Sequence, residues 1–336
     1  MKLAIIGVED SVKSNIFSAL TSRAVSSGRD AQVGVVRVPD ERVDKLSAMF
    51  KPQKTTYAQV EFMLPAGSTG RNAKDSVWQE VRPADALLMV ARNYSNGGPA
   101  RPAAEVRQMI SDMVFADFMV VEKRLEILAA DAKRGKAVNT KERELLEACR
   151  QVLEQDQPIR TSAELAGAPA LRCFSLLSSK PFLALFNNAE DDTSAPAGIE
   201  ELGCDWLVAR GKLEAEIAAM SEEERSEFLQ EYGITESALD RVIKRSYEVL
   251  GLISFFTVGE DEVKAWTIRR GTPAVEAAGA VHSDIQKGFI RAEVVSYADL
   301  METGSLGEAK KQAKTRLEGK TYLVADGDLI DFRFNV

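Results

Sequence analysis

The sequence predicts an α/β fold, a mostly parallel sheet flanked by helices, with an inserted helical hairpin and a smaller C-terminal α+β unit. Three observations predict it. Short apolar runs of strand length alternate with stretches of helical spacing over residues 1–102 and again over 159–251. Between them, apolar residues recur at steps of three and four from Ala103 onward. From residue 252 the pattern turns β-rich and hairpin-like. The expected divisions are therefore 1–102, an inserted hairpin at 103–158, a return to the first domain at 159–251, and a last domain at 252–336.

Lys2-Leu3-Ala4-Ile5-Ile6 reads as a buried parallel strand, and Asn15 to Leu20 as a helix. A polar turn at Ser26–Asp30 precedes a strand at Val33–Val38, ended by Pro39-Asp40. Val43, Leu46 and Phe50 share a helical face, and Val60–Leu64 is a strand. Ser68 to Lys74 is small, polar and expected to be mobile. Val77–Val81 is expected to be helical, and Ala86–Ala91 is a buried strand. In the insertion Val114, Phe118, Val121, Leu125, Leu128 and Ala132 form a heptad-like seam. Lys133-Arg134-Gly135-Lys136 turns the chain, and Thr140 caps a return helix with Leu145, Cys149 and Val152 on one face. Strands follow at Pro181–Phe186 and Asp205–Ala209, and helices at Leu213–Met220 and Leu239–Leu250. Ser221 with Glu224 reads as a capping box.

In the last domain Ser254–Val258 and Val263–Ile268 flank Gly259-Glu260-Asp261, a hairpin signal. Pro273–Val281 is a small-residue helix and Ile290–Val295 a strand. Leu323, Ile330, Phe332 and Phe334 belong to closing strands, which together suggest a β-grasp-like unit.

Composition narrows function. With 336 residues, 45% hydrophobic and 28% charged, the chain is an ordinary globular protein long enough for two domains. A net charge of -8 leaves nucleic-acid contact to local basic patches. Three widely spaced cysteines suggest reduced thiols in a cytosol, and the single histidine, His282, excludes multi-histidine metal sites. No apolar run has the length of a membrane span, and no secretory signal opens the chain, so a cytoplasmic protein is expected.

The stretch Gly7-Val8-Glu9-Asp10-Ser11-Val12-Lys13-Ser14 carries the chemistry. Strand, loop, Lys-Ser and helix are the context of a phosphate-binding P-loop, G-x-x-x-x-G-K-[ST], with Val12 in place of its second glycine. Such a loop wraps backbone N–H groups around phosphates at a helix N-terminus. Valine is disfavoured at positive φ, and Glu9 and Asp10 bring negative charge to the place of an anion. Lys13 remains a phosphate contact and Ser14 a weak Mg²⁺ candidate. The bland alternative is a plain strand-to-helix turn. His282-Ser283-Asp284 is not read as a triad, because adjacent residues rarely converge on one point. Cys149 and Trp266 are read as core.

The sequence resembles the Obg-like ATPase (YchF) family of translation-factor-related P-loop NTPases. The resemblance is carried by Gly251–Thr257, Trp266–Pro273, His282-Ser283-Asp284, Lys287–Val294 and Asp328–Val336, which are similar to the family's TGS domain. It extends to Val36–Asp40, Asp44-Lys45-Leu46, Lys51-Pro52, Glu61-Phe62 and Val121–Leu125. It implies a G-domain-like P-loop NTPase domain interrupted by a coiled-coil hairpin and followed by a TGS domain. It also implies a monomeric, ATP-preferring enzyme, often described as GTP-binding, that associates with ribosomes.

The departures cluster at the nucleotide. The family loop reads Gly-Leu-Pro-Asn-Val-Gly-Lys-Ser-Thr; here its proline, asparagine, second glycine and threonine are Glu9, Asp10, Val12 and Asn15. The family's Asp-x-x-Gly turn, whose acid supports Mg²⁺ through water, is Leu64-Pro65-Ala66-Gly67. The first switch is shortened between Leu20 and Val33, and the second around Ser68–Asp75. The base-reading Asn-x-x-Glu stands as Asn187-Asn188-Ala189-Glu190, and Ser-Ala-Lys as Arg210-Gly211-Lys212.

The resemblance thus implies nucleotide contacts at Gly7, Asp10, Ser11, Val12, Lys13, Ser14, Asn15, Asn187 and Glu190, with no catalytic residue assigned. ATP or GTP with Mg²⁺ is expected to bind weakly or not at all, and hydrolysis to be lost. Two alternatives stand beside this: an ATPase with metal ligation rebuilt from Glu9 and Asp10, and a scaffold working only through protein contacts. Ribosome or RNA contact is expected at Lys133, Arg134 and Lys136 on the hairpin tip and at Lys310, Lys311, Lys314 and Arg316 in the TGS domain.

Overall fold

The structure is a computed structural model that describes residues 1–25, 30–66, 73–95, 99–232 and 236–335. Most of the turn expected at Ser26–Asp30, and of the polar stretch at Ser68–Lys74, lies outside the described residues. The chain runs β1 (Lys2–Gly7), α1 (Asp10–Thr21), β2 (Gln32–Arg37), α2 (Glu41–Phe50), β3 (Lys54–Thr56), β4 (Gln59–Leu64), α3 (Ala73–Val81) and β5 (Ala86–Asn93). It continues with α4 (Pro102–Lys133), α5 (Thr140–Glu154), α6 (Ala163–Gly167), β6 (Phe182–Asn188), β7 (Asp205–Ala209), α7 (Gly211–Ala219), α8 (Glu222–Glu231) and α9 (Ala238–Val249). The last elements are β8 (Leu252–Val258), β9 (Glu262–Arg269), α10 (Ala274–Val281), α11 (Ser283–Lys287), β10 (Phe289–Ser296), α12 (Tyr297–Thr303), α13 (Leu306–Lys311), β11 (Arg316–Glu318) and β12 (Asp328–Phe334).

By internal contacts the chain divides into two compact units, Met1–Val35 with Glu61–Val242 and Val36–Val60 with Ile243–Val336. The first holds a sheet of order β2-β4-β1-β5-β6-β7. The pairs β1–β4, β1–β5, β5–β6 and β6–β7 are all parallel. Parallel strands covered on both faces need apolar residues throughout, and Leu3, Ala4, Ile5, Ile6 and all of β6 are buried. Helix packing completes this core with Trp78, Val81, Val106 and Met109 around Leu87, Met89, Phe182 and Phe186.

The insertion is a pair of helices, α4 and α5, closed on a core of Val114, Val121 and Leu128 against Leu146, Cys149 and Leu153. Phe118, Leu125, Leu145 and Val152 are half-buried at its margin. The buried stripe of α5 is therefore centred one position later than expected, on Leu146 and Leu153, three before and four after Cys149. The cap is Asn139 rather than Thr140: its side chain accepts the Glu142 N–H at 3.2 Å. At the base of the hairpin Asp117 is fully buried. Its carboxylate accepts the N–H groups of Leu177 (2.9 Å) and Ser178 (2.7 Å) and the Ser178 hydroxyl (2.8 Å), and pairs with Arg82 at 3.0 Å. The Ser221–Glu224 capping box is present in full.

The second unit holds a mixed sheet of order β11-β10-β12-β8-β9-β3. Residues 36–60, grouped with the first domain in the sequence, have their contacts here. The reason is β3, which pairs in parallel with β9 through Lys54↔Glu262 and Thr56↔Lys264. Arg42 reinforces it, bridging Asp40 and Asp326 at 2.8 Å each. The β8–β9 hairpin is antiparallel as expected. Phe255, Phe289 and Phe332 pack with Ala274, Ala277 and Ala278 of α10. Leu323 is not in a closing strand: it makes an isolated bridge to Pro273 and is exposed, and β11 forms the outer strand instead. Trp266 is half-buried, donating its indole N–H to Thr257 Oγ1 at 2.9 Å beneath the Lys264 ammonium. His282 caps α11, its Nδ1 accepting the Asp284 N–H at 3.2 Å.

Candidate nucleotide site

Parallel sheets place ligand-binding loops beyond the carboxyl ends of their strands. In the first unit these ends are Gly7 of β1, Arg92 and Asn93 of β5, Asn187 and Asn188 of β6 and Ala209 of β7. Gly7 lies against β5 so closely that a Cβ there would stand 2.4 Å from the Val90 carbonyl oxygen. A glycine is required, whatever binds beyond it.

Helix α1 begins at Asp10, after only Val8 and Glu9. Glu9 is extended at φ −102°, and the Lys13 N–H already donates to its carbonyl at 3.2 Å. Val12 is thus helical and buried, and the positive φ that would strain a β-branched residue does not arise. Ser11 and Asn15 are exposed and Ser14 half-buried on the same first turns.

The charges at this end pair with one another. Lys13 Nζ lies 2.7 Å from Asp10 Oδ1, and Arg92 Nε lies 2.7 Å from Glu9 Oε1. Arg92 also donates to the Tyr94 carbonyl at 3.1 Å. Burial pushes the nearby Glu105 carboxyl up, offset by a hydrogen bond from the Arg92 backbone and by the Arg92 charge. At the end of β4, Leu64 and Pro65 are buried where the family's acid is expected, and the Ala66 N–H donates to Glu80 at 2.9 Å. Mg²⁺ demands an octahedron of oxygens. Ser14 is the hydroxyl at hand, Asp10 and Glu9 lie against Lys13 and Arg92, and phosphate oxygens and waters would have to complete the shell. No group of three or more His, Cys, Asp or Glu among the described residues is arranged to hold a metal.

The Asn187–Glu190 motif, which the resemblance assigns to the base, is tied into the fold by side-chain contacts. Asn187 Oδ1 accepts the Gly211 N–H at 2.8 Å. A Cβ on Gly211 would meet that oxygen at 2.7 Å and Ile16 of α1 at 3.2 Å, so glycine is needed here too. Asn188 bridges Asn93 and the Ser194 carbonyl at 2.9 Å each. Glu190 pairs with Lys212 at 2.6 Å, which holds the lysine's charged form. The structure therefore brings Asn187 and Glu190 together with Arg210-Gly211-Lys212, and packs α1 against them. Arg92 was missed from sequence. Its signal was a charged residue directly after the buried run of β5, at the carboxyl edge of a parallel strand.

The two basic groups differ. Lys133, Arg134 and Lys136 are exposed at the hairpin turn, and only Lys136 has an ion pair, with Asp131 at 2.8 Å, among the described residues. Lys310, Lys311, Lys314 and Arg316 all have carboxylate partners.

A family model described as YchF-GTPase_C, "Protein of unknown function (DUF933)", matches residues 252–335. The ribosome-binding ATPase YchF of Bacillus subtilis (strain 168) is 37% identical over 360 residues, covering 99% of this chain and 98% of the relative. The chain belongs to the YchF family. The ribosome-binding ATPases YchF of Mycoplasma genitalium and Escherichia coli O157:H7 are each 33% identical, over 100% of this chain and 100% and 99% of theirs. The solved structure of the Schizosaccharomyces pombe YchF GTPase superposes with a TM-score of 0.85 at 27% identity, covering 99% of this chain and 97% of its own. The α/β architecture with its C-terminal unit is thus that of YchF proteins. No helix among the described residues is long and apolar enough to cross a membrane.

Proposed function

We propose that this chain is a cytoplasmic, monomeric, ribosome-associated YchF protein that binds ATP or GTP weakly and has lost hydrolysis. The observation that carries this is the first turn of α1. A helix beginning at Asp10 leaves two residues between strand and helix, too few to wrap a phosphate chain, and Lys13 is held by Asp10. Phosphoryl transfer depends on positioning and on neutralising developing charge. Buried Leu64 contributes nothing to either. The intact Asn187–Gly211 contact supports retention of a base-binding surface. An ATPase rebuilt around Glu9 and Asp10 is disfavoured because both carboxylates already hold cations. Ribosome or RNA contact is assigned first to the hairpin turn, where Lys133 and Arg134 have no ion pair among the described residues, and second to the TGS domain.

The test is ATP turnover with and without ribosomes, beside calorimetric titration with ATP and GTP, each with and without Mg²⁺. Turnover at least about a hundredfold below an active relative is expected, the order lost when transition-state donors are removed. A rate matching such a relative, abolished by Lys13→Ala, would sink the proposal.

A further inference from the structure

The sequence sets Glu9, Asp10, Val12 and Asn15 side by side as departures from the family loop. The geometry separates them, and we propose that Asp10 is the residue that sets affinity for nucleotide, acting as a built-in counter-anion at the phosphate end of the site. This rests on the reading of residues 7–14 as the nucleotide site.

Asp10 is the first residue of α1, where unbonded N–H groups and the helix dipole favour negative charge. A carboxylate of the chain already stands in the first turn, where the dipole favours an anion. Lys13, three residues on, lies on the same face, and its ammonium is 2.7 Å from Asp10 Oδ1. The lysine stem is buried and lies over Gly7, where a Cβ would stand 3.2 Å from Lys13 Cγ. Its reach is therefore constrained, and Asp10 holds what is left of it. Glu9 does the same to Arg92 at 2.7 Å, a guanidinium only 12% exposed. Both cations at the strand ends are already partnered, Glu105 adds a further carboxyl beside Arg92, and a triphosphate entering there gains no net attraction. Val12, by contrast, is helical with its side chain buried, so it neither strains the backbone nor faces the ligand.

The experiment is calorimetric titration of the full chain and its variants with ATP and with inorganic tripolyphosphate, without Mg²⁺, each variant first checked by thermal melting. Asp10→Asn is expected to tighten binding of both about threefold to fivefold, the order of one exposed charge beside Lys13. Glu9→Gln should give a smaller gain, and Val12→Gly none. Adding Lys13→Ala to Asp10→Asn should abolish the gain. The proposal is overturned if folded Asp10→Asn binds within twofold of the parent chain, including no binding by either, or if Val12→Gly supplies the gain instead. Tight ATP binding by the parent would refute the weak-binding function, while the ratio between Asp10→Asn and parent would still decide this inference.

Discussion

The hairpin turn and the C-terminal unit each carry a cluster of lysines and arginines that look alike in sequence. At the turn, Lys133 and Arg134 point into solvent with no ion pair among the described residues, and Lys136 folds back on Asp131. In the C-terminal unit, Lys310 lies 3.1 Å from Glu293, Lys311 2.6 Å from Glu308, and Lys314 2.9 Å from Asp299. Arg316 lies 3.9 Å from Glu318 and 4.0 Å from Asp328. A basic run is thus not yet a basic surface. Helix and sheet neighbours decide whether its charge reaches a partner or is neutralised within the fold.

The largest expected effect tests the base on which the turn is carried. Asp117→Ala leaves Arg82, two backbone N–H groups and the Ser178 hydroxyl without the fully buried carboxylate that joins them. Removing one partner of a buried pair costs about 3–5 kcal/mol, so denaturant unfolding of the first unit should shift by that order. A loss below about 1 kcal/mol would mean that the anchor is redundant.

The next effect is on binding. Reversing Lys133 and Arg134 together to Glu should weaken ribosome co-sedimentation at least about tenfold. It should also reduce the slope of log affinity against log salt by about two, one for each lost phosphate contact. The same reversal at Lys310 and Lys311 should change affinity less than about twofold, because those charges are already compensated. The opposite ranking would break the comparison.

The smallest effect is one of pH. The Arg333 and Lys310 hydrogen bonds hold the Glu293 carboxyl below its ordinary value, and Ser296 and Lys314 do the same for Asp299. A depressed carboxylate contributes stability above its unfolded pKa and loses it as pH falls through its folded one. Protection of β10 and β12 amides from exchange should therefore fade as pH drops below about 4.5, the ordinary glutamate value. Lys310→Ala should move the Glu293 titration upward. An unmoved titration would show that Arg333 alone holds it.

Much of the fold was legible, because buried parallel strands such as Leu3–Ile6 and β6 write themselves as unbroken apolar runs. Strand β3 was not: Lys54-Thr55-Thr56 has no apolar alternation, and its partner β9 lies over two hundred residues away. For the same reason the grouping of most of residues 36–60 with the last domain's strands is not visible in chain order. At the site, Leu64 and the motif Asn187–Glu190 could be read directly, since residue type alone decides whether a carboxylate or amide is present. Where α1 begins could not, because Val8 to Val12 suit either a loop or a first helical turn. The pairings of Lys13 with Asp10 and of Arg92 with Glu9 also depend on that start.

The Asp117–Ser178 contact joins positions 61 residues apart, with the second half of α4 and all of α5 between them. It closes only after the chain has gone out along α4 and returned along α5. β6 begins at Phe182, just beyond Ser178, so the same contact fixes where the chain re-enters the sheet beside β5. Helices form from local contacts far faster than strands find distant partners. The insertion therefore bridges a non-local pairing, β5 with β6, by contacts that are mostly local to its two helices.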